Sequence, residues 1–133
     1  MTTVIDLTAE LAKLTMLRGR TPQARSADRV GNSAQLAPYR DGAIFTSKFS
    51  GKGAWEHHMQ GDELVHVLDG SATLDVVAGD GPPQSFSVRA GMVAIVPRGA
   101  WHRLQSPEGV TLMTATPRPT DHLRLDVDDP RTI

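Results

Sequence analysis

Gly91-Met92-Val93-Ala94-Ile95-Val96-Pro97-Arg98-Gly99-Ala100-Trp101-His102 sets a short, β-branched apolar run between a glycine and a Pro-Arg-Gly turn, then opens a second run at Trp101. Glycine and proline interrupt strands, while valine and isoleucine suit a pleated, half-buried surface, so the stretch reads as strand, turn, strand. The same texture extends outward on both sides. After Tyr39 it predicts strands over 42–49, 53–59, 64–68, 72–77, 84–88, 93–96, 101–105 and 110–116. Asp69-Gly70 suits a tight hairpin, and Gly79-Asp80-Gly81-Pro82-Pro83 forces a loop, which makes successive strands antiparallel neighbours. Many short strands punctuated in this way describe an all-β sandwich or barrel.

The flanks differ. Leu7, Leu11, Leu14 and Leu17 recur mostly three or four apart, with Asp6 or Thr8 to cap the start and Gly19 and Pro22 beyond the end, predicting one helix over 6–17. Residues 21–38 are polar and without period, and read as an extended connector. From Pro117 onward the chain reads as a solvated tail; Asp126, Asp128 and Asp129 lack the spacing and glycine of a calcium loop. No repeat and no helix-turn-helix pattern is present.

A chain of 133 residues, 39% hydrophobic and 22% charged, fits one globular domain with one core. Its 14 basic and 15 acidic residues nearly cancel and the arginines are scattered, so nucleic acid is not an expected partner. The absence of cysteine removes disulfides, thiolate ligands and a cysteine nucleophile, leaving metal chemistry to nitrogen and oxygen. No apolar stretch approaches the ~18 residues of a membrane span and the N-terminus lacks a leader pattern, so a cytoplasmic location without membrane partners is expected. Val4, Ile5 and the amphipathic helix carry more apolar surface than a short flank buries alone, which points to a homodimer.

Two segments concentrate the side chains that bind metals: Trp55-Glu56-His57-His58-Met59-Gln60-Gly61-Asp62-Glu63 and Gly99-Ala100-Trp101-His102. Strand alternation puts Glu56 and His58 on one face and Trp55, His57 and Met59 on the other. Glu63, after the Gly61-Asp62 turn, points back toward the same interior, and a further strand brings His102. Two histidines with one or two carboxylates favour iron or manganese, then zinc or nickel. His66 has the parity opposite to Glu63 and reads as a packing histidine. Trp55 and Trp101 read as sheet or dimer packing. Val65, Val67, Ile95, Leu104 and Met113 read as ordinary core, and Arg98 and Arg103 as solvated.

These residues resemble the two sequence motifs of the cupin superfamily over roughly 51–106. The second motif runs Gly91, five residues, Pro97, one residue, Gly99, two residues, His102, with Ser106 where the pattern closes on asparagine. The first is matched from His58 through Glu63 to Gly70, whereas Glu56 stands where the usual His-x-His pair has its first histidine. Taking His57 for that first slot would put Met59 in the second. The resemblance implies a double-stranded β-helix, or jelly-roll, cupin barrel with a short N-terminal helix. The chain would divide into an arm and helix over 1–38, a cupin barrel over 39–118 and a tail over 119–133. It implies a divalent transition metal, iron or manganese favoured and zinc or nickel the alternatives, held by Glu56, His58, Glu63 and His102.

In that site Glu56 is a ligand, a hydrogen-bond partner of a ligand, or a general base toward the substrate. The expected function is a small-molecule enzyme of dioxygenase, isomerase or decarboxylase type, and the competing class is a non-catalytic protein that binds or senses a small molecule.

Overall fold

The computed structural model describes residues 1–132. In chain order the elements are α1 (Leu7–Ala12), β1 (Leu17–Arg20), β2 (Ser33–Tyr39), β3 (Gly42–Lys52), β4 (Trp55–His57), β5 (Glu63–Val77), β6 (Gln84–Arg89), β7 (Val93–Val96), β8 (Trp101–Pro117) and β9 (Asp121–Leu123). Single 3-10 turns occupy Ser26–Arg29 and Pro130–Thr132. The architecture is the expected jelly-roll with a short N-terminal helix, its sheet not closed.

Two long strands build it. Residues 64–67 of β5 pair with residues 112–115 of β8, and residues 63–66 pair with β7 on the other side. Further along, residues 71–76 pair with β6 while residues 73–77 pair with residues 101–105 of β8. The hairpin expected at Asp69-Gly70 does not form, and 64–68 with 72–77 are one strand, as are 101–105 with 110–116. Register shifts after Val67 and Gly70 let β5 bend without ending. Gly70, at φ +76°, sits so close to β8 that an added Cβ would lie 2.2 Å from the Gly109 carbonyl oxygen. The glycine that looked like a turn signal is therefore a crossing point. Ser106 fills the same corner: its hydroxyl donates to the Ser71 carbonyl at 2.6 Å and accepts from the Gly109 N–H at 3.0 Å.

Alternation along β5 buries Glu63, Val65 and Val67 on one face. With Phe49, Leu74, Val88, Val96, Val110 and Leu112 these valines form the core. Each such side chain contributes about 1.5–3 kcal/mol on burial. Ile95 is instead exposed, because it lies on the outer face of β7.

The flanks join the sheet. The helix is six residues long rather than twelve, capped by Asp6, whose carboxylate accepts from the Ala9 N–H at 3.1 Å. The leucine spacing overshoots because Leu17 opens β1, which pairs parallel with β3 at Phe49, and Leu17 packs against the core. Part of the expected connector is β2, antiparallel to β3 from Ser33↔Ser47 to Tyr39↔Gly42. Its side chains face a cavity or solvent more than the core, so no apolar period announced it. The expected solvated tail contains β9, antiparallel to β4. Beyond it the Val127 carbonyl accepts from Trp55 Nε1 at 2.8 Å and from Arg103 Nη1 at 2.9 Å.

Candidate metal centre

Glu56 pairs directly with His102 on β8 and with His122 on β9. Directly opposed residues in antiparallel ladders share a face, so His122, Glu56 and His102 stand in a row across three strands. His58 follows β4 with the parity of Glu56 and is fixed by its carbonyl, which accepts from the Gly99 N–H at 2.9 Å. Single ligand atoms of Glu56, His58 and His102 all lie within 4.8 Å of one another. Glu63 arrives from the start of β5: its Oε1 is 3.0 Å from His102 Nε2 and its Oε2 is 3.3 Å from His58 Nε2. The structure thus brings Glu56, His58 and His102 together and lays Glu63 against both imidazoles.

His102 Nδ1–H donates to the Ala100 carbonyl at 3.1 Å, which turns Nε2 inward. His58 Nδ1 is bonded to the Thr120 hydroxyl at 3.0 Å, and its Nε2 is buried without a well-aligned hydrogen bond, its nearest acceptor being Glu63 Oε2 at 3.3 Å. Two imidazoles are therefore each held through Nδ1 and turn Nε2 toward the Glu63 carboxylate, an anchoring through the other ring nitrogen that metal-ligating histidines share.

Burial alone would raise the Glu63 carboxyl, but the hydrogen bond from His102 and the adjacent His58 hold it down at about 2. Burial would likewise raise Glu56, and the His122 hydrogen bond with the neighbouring His102 brings it below its ordinary value against the repulsion of Glu63. For His102 burial acts downward, and the Glu63 and Glu56 carboxylates reverse it and raise the imidazole. Two ionised carboxylates beside two imidazoles leave an excess of negative charge in a buried place, which suits a divalent cation.

His57 is on the opposite face, with its ring 4.0 Å from that of Trp101 in an edge-on arrangement. His66 lies on β5 opposite Val93 and Met113 and outside the cluster. Trp55 is buried beneath the Arg103 guanidinium, 4.4 Å above its ring. Arg103, expected to be solvated, is buried and paired with Asp75 at 2.8 Å. Three groups around the ligands were not singled out from the sequence: His122 on Glu56 at 3.2 Å, Thr120 on His58, and Thr116, whose hydroxyl donates to Glu63 Oε2 at 2.6 Å. Strand parity from Glu56 across to β9 would have found His122, had β9 been recognised.

The cluster opens into a cavity of about 540 Å³ whose wall includes Glu56, Glu63, His102, His122 and Thr120 together with Phe45, Phe49, Leu104 and Leu112. Fold and site together define a jelly-roll protein with a histidine and carboxylate cluster, able to hold a metal ion, beside a small-molecule cavity. The chain belongs to the cupin family: the Cupin domain model matches residues 44–115, more than half of its length. A cupin-2 domain containing protein from Shewanella frigidimarina is similar in structure, with 21% identity, a TM-score of 0.62, and 86% of this chain and 95% of that one covered. Hydroquinone 1,2-dioxygenase, solved with Cd2+ and 4-hydroxybenzonitrile, is similar over 64% of this chain and 63% of its own, with 14% identity and a TM-score of 0.55. Oxalate decarboxylase from Bacillus subtilis is similar over 61% of this chain but only 23% of its own, with 20% identity and a TM-score of 0.55. At these identities the likeness shows the fold alone. No curated protein matches the sequence.

Proposed function

We propose that this cupin is a metal-dependent enzyme acting on a small organic molecule in the barrel mouth, with chemistry of the dioxygenase, isomerase or decarboxylase type. The observation that carries the reading is the convergence of ligand atoms of the buried His58 and His102 and the half-buried Glu56 within 4.8 Å of one another, with the Glu63 carboxylate 3.3 Å from His58 Nε2 and 3.0 Å from His102 Nε2. His58, His102, Glu63 and Glu56 would hold the ion, iron or manganese in preference to zinc or nickel, because two carboxylates harden the donor set. When bound, the ion supplies a Lewis acid or a redox centre to an oxygen-bearing substrate.

The chain's own residues do the rest. Thr120 and the Ala100 carbonyl fix the imidazole orientations, and Thr116 restrains Glu63. Glu56, bonded to His122, has two roles open to it: ligand, or proton acceptor with His122 as its partner. Phe45, Phe49, Leu104 and Leu112 give the cavity an apolar wall against which a substrate can pack. Elemental analysis of protein purified without chelators tests the reading. Near-stoichiometric metal, lost in His58→Ala and His102→Ala proteins that still fold, is the expected result. A wild-type protein that is empty and refuses added metal sinks it.

A second reading is a non-catalytic binding protein. It is favoured by Glu63, whose oxygens already engage His102 and Thr116, so that part of the cluster is satisfied within the protein. Metal-free protein that binds small molecules as tightly as the loaded form would select this alternative.

A further inference from the structure

Arg20 is placed with unusual care for a residue with no partner. Its backbone pairs with Gly51 of β3, where an added Cβ would lie 2.3 Å from the Arg20 carbonyl oxygen. Its guanidinium stacks on Phe49 at 4.7 Å and rests against Gly53, where an added Cβ would lie 3.4 Å from Cζ. Its Nε is buried without a hydrogen-bond partner. Arg29 faces the same cavity, and its Nη2 touches the Ser33 hydroxyl at 3.5 Å. Among the described residues no carboxylate lies within 4.0 Å of either guanidinium, whereas Arg103, the third arginine of the cavity, is paired with Asp75. Burial, and then the charge of Arg29, lower Arg20 to about 10 against the attraction of Glu56. Two like charges are thus held toward one space, one of them desolvated, and neither has a carboxylate in ion-pair contact among the described residues.

We propose that Arg20 and Arg29 form an anion subsite in the cavity, and that the substrate is a small monocarboxylic acid with an apolar body. The guanidinium fork matches a carboxylate in two parallel hydrogen bonds. Phe45, Phe49, Leu104 and Leu112 supply the apolar wall for the body. Glu56 and Glu63 line the same cavity, and their charges oppose a dianion such as a phosphate monoester. The proposal deepens the reading of the site as that of a small-molecule enzyme and rests on it for the reaction, though not for the binding of the anion.

The test is calorimetric titration of the full chain, both chelator-treated and metal-loaded, with benzoate, benzamide and phenyl phosphate. Benzoate is expected to bind both forms about tenfold or more tighter than benzamide, since only the acid offers charge to the fork. Arg20→Gln and Arg29→Gln should each remove that preference, and Arg20→Lys should restore it only in part, because an ammonium lacks the fork. Arg29 is only half-buried, so Arg29→Gln reports even if Arg20→Gln does not fold. Equal binding of acid and amide, absence of acid binding, tighter binding of phenyl phosphate, or an unchanged preference in Arg29→Gln overturns the proposal. Metal content separates the two readings: stoichiometric metal without benzoate binding sinks only the anion subsite, and benzoate binding to a protein that never takes metal sinks only the metal centre.

Discussion

Asp75 is a buried carboxylate with three donors: Ser85 at 2.6 Å, Arg103 at 2.8 Å and Gln105 at 2.6 Å. Burial alone would raise its pKa, and these donors bring it below the ordinary value of 3.8. A carboxyl with a depressed folded-state pKa contributes stability above its unfolded value, and that contribution is lost as pH falls through the folded value. Asp75→Asn is therefore expected to lose about 3 kcal/mol at pH 7, since it removes the anionic partner of the buried Arg103 guanidinium, and less near pH 3, below the ordinary carboxyl value. Urea unfolding at the two pH values checks this; an equal loss at both would remove the ionised carboxylate from the account. Thr120→Val tests a smaller contact. It deletes the hydroxyl on His58 Nδ1, and if that bond orients the imidazole, metal affinity falls about 10- to 100-fold while the fold persists.

At the scale of elements, the bend shared by β5 and β8 depends on backbone proximity. Gly70 has φ +76° and meets the Gly109 carbonyl, whereas Gly79 has φ +60° with nothing within 4 Å of an added Cβ. Both substitutions to alanine incur the left-handed backbone penalty, but only Gly70→Ala must also push two strands apart. Gly70→Ala is expected to be about 2 kcal/mol or more the worse of the two by urea unfolding. Equal losses would mean that the strands separate freely at the crossing. The C-terminal strand gives a second test. Ending the chain after Arg118 removes β9, the Val127 carbonyl over Trp55, and both Thr120 and His122. Such a protein should melt lower and lose metal, whereas a tail that is only solvated could be dispensed with.

At the scale of the molecule, no helix among the described residues is long and apolar enough to cross a membrane. The homodimer expected from the sequence is carried forward as a proposal. Val4 remains 90% exposed, whereas Ile5, Leu7, Leu11 and Leu14 are half-buried. Val93 and Ile95, 55% and 57% exposed, share the outer face of β7, whose only partner among the described residues is β5. A second copy covering Val93 and Ile95 predicts a dimer by light scattering that Val93→Lys/Ile95→Lys converts to a folded monomer. A wild-type monomer at all accessible concentrations removes the proposal.

The sequence by itself determined the alternation of short apolar runs and the spacings from His58 to Gly70 and from Gly91 to His102, because strand parity and turn chemistry are local. These were enough for an all-β sandwich or barrel and for placing Glu56 and His58 on one face; the jelly-roll followed from the resemblance of those spacings to the cupin motifs. Only the tertiary structure decided which glycine turns the chain and which lets strands cross: Gly70 carries the same local signal in either role, and the Gly109 carbonyl that distinguishes them is distant in sequence. It also brought in His122, whose strand is three residues long and carries no apolar period, and Thr120, which immediately precedes that strand. Arg20 shows the limit most plainly. No local pattern singles it out, and only the pairing of β1 with β3 beside Phe49 and Gly53 turns it into the cavity. Long-range pairing selects neighbours that short-range patterning does not specify.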